Sequence, residues 1–516
     1  MSKIFKDLKV ELDEDLREKL LLLEPQLHDF HILKQSIDAR KKGKPHFVFS
    51  IEVFSQDESI PAPQFSLEKI SSPPHDLVNI IGAGPGGLFA AIRLLERGIP
   101  CRLFERGSQT EQRLKHITRF WRYGELNAHN NVCFGEGGAG LYSDGKLITR
   151  IKSPHISYVM HKLVEFGAPQ EITYLANPHV GSDKIRRIIP KLREYIAQLG
   201  GEILFDHPVE KLLIEGHSAI GVIAKNQEFL SPYNILATGH SARDIFFTLH
   251  EQGITLENKD FAMGLRVEHS QEAINKIQYR EHYKHPKLSA ANYKLAYHDH
   301  KSEVGIYSFC MCPGGYVLSS GTDPSGLVCN GMSNYKRNSP HANSAVVVTI
   351  KNSPDKPLFY GLEKQKQLEE RAFEFVQQAG GTKQLPAQKM IDFLNGKRSE
   401  NLPKSSCPSG VISVDFNQLL PSFIARELKK GFLDFEKKMK GFVTPEALLI
   451  GVESRTSSPL RIPRGKKTFA SLSHSGLYPC GEGAGYAGGI TSAACDGIQI
   501  AESIYRRLNE INQATD

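Results

Sequence analysis

The chain has no apolar run near the roughly 18 residues that a membrane-spanning helix needs, although 40% of its 516 residues are hydrophobic. No membrane association is expected. It also lacks an apolar segment behind Lys3 and Lys6, where Glu11-Leu-Asp-Glu-Asp15 is acidic instead, so export is not expected. Cysteine is sparse. Eight are scattered without the spacing of a disulfide framework, which suits reduced thiols and a cytoplasmic location. A basic nucleic-acid face is missing from the N-terminal part: residues 1–75 hold 11 Lys+Arg against 13 Asp+Glu, so the run Arg40-Lys-Lys-Gly-Lys44 reads as a solvated turn. The formal net charge of +7 comes mostly from residues 426–467, with 11 Lys+Arg against 5 Asp+Glu, and nucleic acid is not the expected partner.

At this length two or three domains are expected. Residues 1–60 read as a small α+β module, with a strand over 6–12, an amphipathic helix over 13–23 and strands over 29–39 and 46–54. Residues 61–75, with Pro61, Pro63, Pro73 and Pro74, read as a linker. Next comes the most informative stretch, Asn79-Ile-Ile-Gly-Ala-Gly-Pro-Gly-Gly87, in the order strand, glycine turn, helix, and then Arg102-Leu-Phe-Glu-Arg-Gly107 as a second strand closed by an acid. Gly82 makes the tight turn, Gly84 with Pro85 and Gly86 lets the backbone approach a pyrophosphate, and Gly87 lets helix and strand pack closely. Glu105, 23 residues after Gly82, has the reach to accept hydrogen bonds from an adenosine ribose, with Arg106 beside it. The motif predicts a bound dinucleotide.

A second glycine-rich stretch, Tyr478-Pro-Cys-Gly-Glu-Gly-Ala-Gly-Tyr-Ala-Gly-Gly-Ile490, follows a strand and precedes a small-residue helix. No strand-ending acid lies about 20 residues beyond it, as a second nucleotide site would require. The stretch resembles the end of glutathione-reductase-type flavoproteins. There, a strand ending in Gly-Asp brings a carboxylate to the ribitol and the next helix points its positive end at the flavin pyrimidine. The resemblance implies those roles for Gly481, Glu482, Gly489 and Ile490, with Glu in place of Asp. It also implies an adenine contact at Val209, in a run of short alternating strands over 200–224, and a return beside the pyrophosphate at Ala237-Thr238-Gly239. FAD is the expected cofactor. The expected fold class is α/β, a Rossmann-like FAD-binding domain of glutathione-reductase type at 76–244 and 471–516, with an inserted α+β substrate domain at 245–470.

Longer phrases are similar to those of a bacterial family of FAD-dependent dehydrogenases or oxidoreductases. They are Ser36-Ile-Asp-Ala-Arg-Lys41, Asn131-Val-Cys-Phe-Gly-Glu-Gly-Gly-Ala-Gly-Leu-Tyr-Ser-Asp-Gly-Lys-Leu147, Tyr307-Ser-Phe-Cys-Met-Cys-Pro-Gly-Gly315, Asn330-Gly-Met-Ser333 and Gly451-Val-Glu-Ser-Arg-Thr-Ser-Ser-Pro-Leu-Arg461. The resemblance spans nearly the whole chain and implies fold and cofactor, without an established substrate. Hydride transfer between FAD and a small, anionic or unsaturated molecule is the expected reaction, with NAD(P)H as a candidate transient electron donor. A flavin-dependent monooxygenase and an RNA-binding or RNA-modifying flavoprotein are the alternatives.

Candidate chemistry gathers at four places. Gly135-Glu-Gly137-Gly138-Ala-Gly140 is small enough to press on a flat ring, with Asp144 and Lys146 close behind. Cys310 and Cys312 would share a face of an extended strand, either as packing residues or as a redox pair, and no second cysteine pair or nearby histidine cluster supports a metal. Arg455, Arg461 and Arg464 offer guanidinium forks to phosphate or carboxylate. His179, His240 and Glu268-His269 are candidate proton donors.

Overall fold

The computed structural model describes residues 2–40, 43–55, 65–73 and 77–515, and its architecture is mixed α/β. Strand Val78–Ile81 is buried along its whole length and apolar except at Asn79, as the middle of a parallel sheet requires. It pairs in parallel with Asn234–Leu236 on one side and Cys101–Phe104 on the other, and Leu477–Pro479 and Glu202–Leu204 form the edges. The buried amide nitrogen of Asn79 donates to Phe229 O at 2.9 Å and Asn234 Oδ1 at 3.1 Å. Helices Pro85–Glu96, Ser182–Gln198 and Ile490–Thr515 build one core against this sheet. The antiparallel meander Val209–Glu215, Ser218–Ala224 and Gln227–Leu230 builds another.

A second sheet, of seven strands, lies within residues 261–453. Its order is Ala296–Asp299, Val304–Cys312, His341–Ile350, Phe261–Ser270, Leu448–Glu453, Leu385–Lys389, Val411–Ser413, antiparallel except for the last pair. Helices Tyr360–Gln378 and Ser422–Lys438 turn their apolar stripes into its core. This sheet occupies less than the expected insertion at 245–470. Ile245, Phe246 and Leu249 at one end of that stretch, and Leu460 and Ile462 near the other, pack with the parallel sheet and its meander. Residues 385–403, bounded by prolines in the sequence, supply strand Leu385–Lys389 and helix Met390–Leu394, and Pro386 is accommodated one place from the sheet edge. The basic excess of residues 426–467 is partly neutralised locally: Arg426 pairs with Glu427, Lys430 with Asp299 and Lys438 with Asp434.

The N-terminal module is a three-stranded antiparallel sheet, Lys3–Glu11, His46–Phe54 and Asp29–Asp38 in spatial order, covered by helix Leu16–Leu23 through the buried Leu20. It docks on the rest through Gln35, whose N–H donates to Tyr174 O at 2.9 Å, and through Asp13, 3.0 Å from His285. Arg40 pairs with Asp38 in an exposed turn; Lys41 lies outside the described residues. Of the linker, Pro61, Pro63 and Pro74 also lie outside them, whereas residues 65–73 are laid on the parallel-sheet core, with Ile70 buried and its N–H donating to Arg97 O at 2.8 Å. Among the described residues, no helix is long and apolar enough to cross a membrane.

Candidate functional site

The first glycine turn contains glycines of two kinds. Gly82 has φ +107°, and a Cβ there would stand 2.5 Å from Ala237 O; a Cβ on Gly87 would stand 2.0 Å from Gly82 O. Packing within the chain demands both. Gly84 is different: it starts helix Pro85–Glu96 at an ordinary φ of −79° with no side-chain cap, and a Cβ would meet nothing nearer than Gly138 Cα at 3.9 Å. Gly488, ahead of the C-terminal helix, has no atom within 4 Å of its would-be Cβ. Both border one cleft of about 360 Å³. Glycine where the chain itself leaves room for a side chain, together with uncapped helix N–H groups, fits a surface shaped to a phosphate-bearing ligand.

Most of the expected site residues border this cleft: Gly82, Gly84, Pro85, Gly86, Glu105, Arg106, Gly138, Val209, Thr238, Gly239, Gly481, Glu482, Gly489, Ile490 and Cys310. Gly87, Gly137 and Cys312 do not. Gly87 lies under Gly82, and Gly137 serves the cleft indirectly, its N–H donating to Ala83 O at 2.8 Å and so fastening the second glycine loop to the first. A contrast follows for the glycines. Gly84→Ala should leave apo-protein stability within about 0.5 kcal/mol of wild type while weakening FAD binding roughly tenfold or more, about 1.4 kcal/mol. Gly87→Ala should lower stability itself. Thermal unfolding of the apo-protein and FAD titration by fluorescence separate the two, and an unaltered FAD affinity in Gly84→Ala would remove that residue from the site.

Glu105 acts first within the chain. Its buried carboxylate accepts from the N–H groups of Ala83 at 2.9 Å and of Gly107 and Gly135 at 3.0 Å, so one side chain ties both glycine loops to the end of its own strand. A carboxylate has about four acceptor sites, which leaves it able to take a ribose hydroxyl as well. Arg106 also has a partner in the chain, Asp244 at 2.8 Å.

The loop over 131–140 is braced by a residue that the sequence pattern did not single out. Arg113, fully buried, donates to the carbonyls of Asn131 at 3.0 Å, Val132 at 2.9 Å, Gly135 at 3.2 Å and Glu136 at 2.7 Å. Glu136 in turn accepts from Thr110 N and Oγ1, both at 2.8 Å, at the start of the Arg113 helix, and from Arg193 at 2.7 Å. In one dimension Arg113 is indistinguishable from Arg119 and Arg122 on the same helix.

The opposite wall carries Phe309, Cys310 and Glu453 from the seven-stranded sheet, Arg455 just beyond its strand Leu448–Glu453, and Asn330 from a separate two-stranded ribbon, Gly315–Ser319 with Cys329–Ser333. The two cysteines do not share a face. A bulge between Phe309 and Cys312 places two residues opposite Ser344 alone, with Cys310 at φ +44°, and so breaks the strand's alternation. Cys310 is half-buried at the cleft, while Cys312 is buried and donates to Cys310 O at 3.3 Å. A hydrogen bond from the Cys312 thiol, then Lys146 and Arg266, acting against burial, bring the Cys310 thiol down to about 6. Arg266 is fully buried, 2.9 Å from Glu453, and also donates to Asn343 Oδ1 and Cys310 O.

The charges around the cleft are largely committed. Lys146 pairs with the buried Asp144 at 2.8 Å and donates to Met311 O; Asp144 also accepts from Arg337 Nε at 3.0 Å and from Ser333. Burial disfavours the Asp144 charge, yet Lys146 and Arg337 pull its carboxyl down to about 2. Arg455 borders the cleft with its fork held by Glu369 and Thr322, and Arg464 is held by Asp496 and Pro479 O. Neither fork is free for phosphate. Arg461 lies off the cleft, 5.5 Å from the centre of the Tyr486 ring. Burial, opposed by Lys259, pushes the Glu482 carboxyl up to about 7.

Of the candidate proton donors only His240 borders the cleft, and burial, Arg455 and Arg243 push it down to about 3, so it is neutral at pH 7. His269 is buried elsewhere against Phe442 O, His179 stacks on Tyr335, and Glu268 accepts from Ser406.

Comparison with known proteins adds the family. Residues 260–456 match a family described as "FAD-dependent protein, C-terminal domain-like", and residues 7–54 match a domain of unknown function. Among solved structures, the flavin-dependent brominase Bmp2 aligns over 84% of this chain and 79% of its own, at 12% identity and a TM-score of 0.37. CtdE in complex with FAD aligns over 86% and 92%, at 11% identity and a TM-score of 0.30. An uncharacterized protein of Clostridium beijerinckii is 38% identical over 98% of this chain and 98% of its own. The chain belongs to the family of that clostridial protein, it carries the domain of FAD-dependent proteins over residues 260–456, and FAD is its cofactor.

Proposed function

We propose that this protein is a cytoplasmic FAD-dependent oxidoreductase of the dehydrogenase or reductase kind, moving hydride between FAD and a small molecule. The observation that carries the reading is the asymmetry of the cleft. One side is glycine turns and helix starts suited to a dinucleotide, and the other is a wall of polar and reactive side chains carried by the seven-stranded sheet and the two-stranded ribbon. Gly84, Glu105, Gly239, Glu482 and Gly489 would hold FAD in the glutathione-reductase manner, and FAD supplies the hydride or electron transfer. The chain supplies orientation and a proton. Lys146 has three N–H donors and spends two on Asp144 and Met311 O, so one remains for an anionic or carbonyl group opposite the flavin side. With a single dinucleotide motif in the chain, NAD(P)H would visit transiently.

Anaerobic mixing with NADH and with NADPH, followed at the visible flavin band, tests this. Rapid bleaching by one of them is expected for a reductase; bleaching only by an organic substrate is expected for a dehydrogenase. Incorporation of an oxygen atom from air into product would move the reading to a monooxygenase and overturn hydride transfer as the net reaction.

A further inference from the structure

We infer that Cys310 and Cys312 form a redox-active dithiol that exchanges an electron pair with FAD across the cleft. The inference rests on FAD occupying the cleft with its ring toward the antiparallel-sheet wall.

Two independent features of the geometry converge on it. The backbone is bulged, and Cys310 sits at φ +44°, a conformation that a residue with a Cβ adopts at a cost and that clusters at functional sites. Two cysteines meant only for packing would lie more cheaply on the regular strand, side by side in the core. The bulge instead delivers one sulfur to the cleft and keeps the other directly behind it, in hydrogen-bond contact with its backbone carbonyl at 3.3 Å. Next, two cations stand beside the pair, Lys146 and Arg266, each also paired with a carboxylate, Asp144 and Glu453. The Arg266 guanidinium donates to Cys310 O at 3.3 Å, and Lys146 donates to Met311 O, the carbonyl between the two cysteines. Positive groups beside a thiol favour the thiolate, the form that attacks sulfur and gives up electrons, and the direction of the Cys310 titration agrees.

The step balances without another reactant. Cys310 and Cys312 lose two electrons and two protons, one S–S bond forms, and FAD accepts the electron pair with the protons. In reverse, reduced FAD returns both to the disulfide and two thiols form. The thiolate of Cys310 is the partner nearest the cofactor, and Cys312 closes or opens the bond behind it.

Counting electrons tests the pair. The FAD-loaded protein, treated with oxidised glutathione and then freed of it, is titrated anaerobically with dithionite. Wild type should consume two electrons for the flavin and two more for the disulfide, whereas Cys310→Ser and Cys312→Ser should each consume the flavin's two alone. A measurement on wild type guards against misfolding of either variant: after alkylation in denaturant, the peptide carrying both cysteines should be two hydrogens lighter and unmodified before reduction, and doubly alkylated after it. Wild type that takes up only the flavin's two electrons, with both cysteines alkylated before reductant is added, would overturn the inference. Bleaching by NAD(P)H or substrate would still stand in that event, so failure of the thiol pair and failure of the hydride-transfer reading are separable.

Discussion

Arg113→Leu should destabilise the protein by about 3 to 5 kcal/mol and leave it isolated largely without FAD. The guanidinium is fully buried and donates to four carbonyls of the loop that borders the cleft, at residues 131, 132, 135 and 136. Leucine fills part of the volume and satisfies none of those acceptors, and each buried group left without a partner costs about 1 to 3 kcal/mol. The loop would reorganise rather than bear that sum, and with it Gly135 and Gly138 would leave their places beside Glu105 and Gly84. Unfolding of apo- and FAD-saturated protein, with the FAD-to-protein absorbance ratio, checks both halves. A variant of wild-type stability and full FAD content would show that the loop holds its shape without the brace.

Glu369→Gln should remove a comparable amount, again about 3 to 5 kcal/mol, and its effect should depend on pH. Glu369 is buried between Arg243 and Arg455 and also accepts from Ser454. Burial works against its charge, but Arg455 and Arg243 overcome this and pull the carboxyl from 4.5 to about 2. A carboxyl whose folded value is depressed stabilises the fold fully above its unfolded value, near pH 4.5, and that contribution is lost as pH falls toward 2. Wild type should therefore lose stability across this window by up to about 3 kcal/mol from this group, and Glu369→Gln should lose much less there, having lost it already at neutral pH. Because Arg455 borders the cleft, the variant should also perturb the flavin spectrum or substrate binding. Parallel pH–stability slopes for the two proteins would assign the acid sensitivity to other groups.

The glycine motifs were legible because each has a one-dimensional cause. A positive φ or a close backbone approach excludes every other residue, so Gly82 and Gly87 announce their own geometry. The same is true of the acid at Glu105, whose distance from the turn follows from the length of one helix and one strand. The charged candidates were less legible. Arg455 and Arg464 read as free forks in the sequence, and their carboxylate partners, Glu369 and Asp496, come from distant helices. The cysteine pair was noticed and its geometry misjudged, since a bulge inserted between Phe309 and Cys312 overrides the alternation that a regular strand imposes.

By itself, the sequence determined that this protein is a mixed α/β flavoprotein that binds FAD, and where its glycine turns lie, because backbone conformation at glycine is a local property. Tertiary structure alone decided which charged side chains are already neutralised, which of the candidate histidines reaches the cleft, which member of the Cys310–Cys312 pair faces it, and that Arg113 and Glu105 hold the two glycine loops together. Those outcomes depend on groups brought together from opposite ends of the chain, and on burial, which strengthens each pairing and raises the cost of leaving any member of it alone.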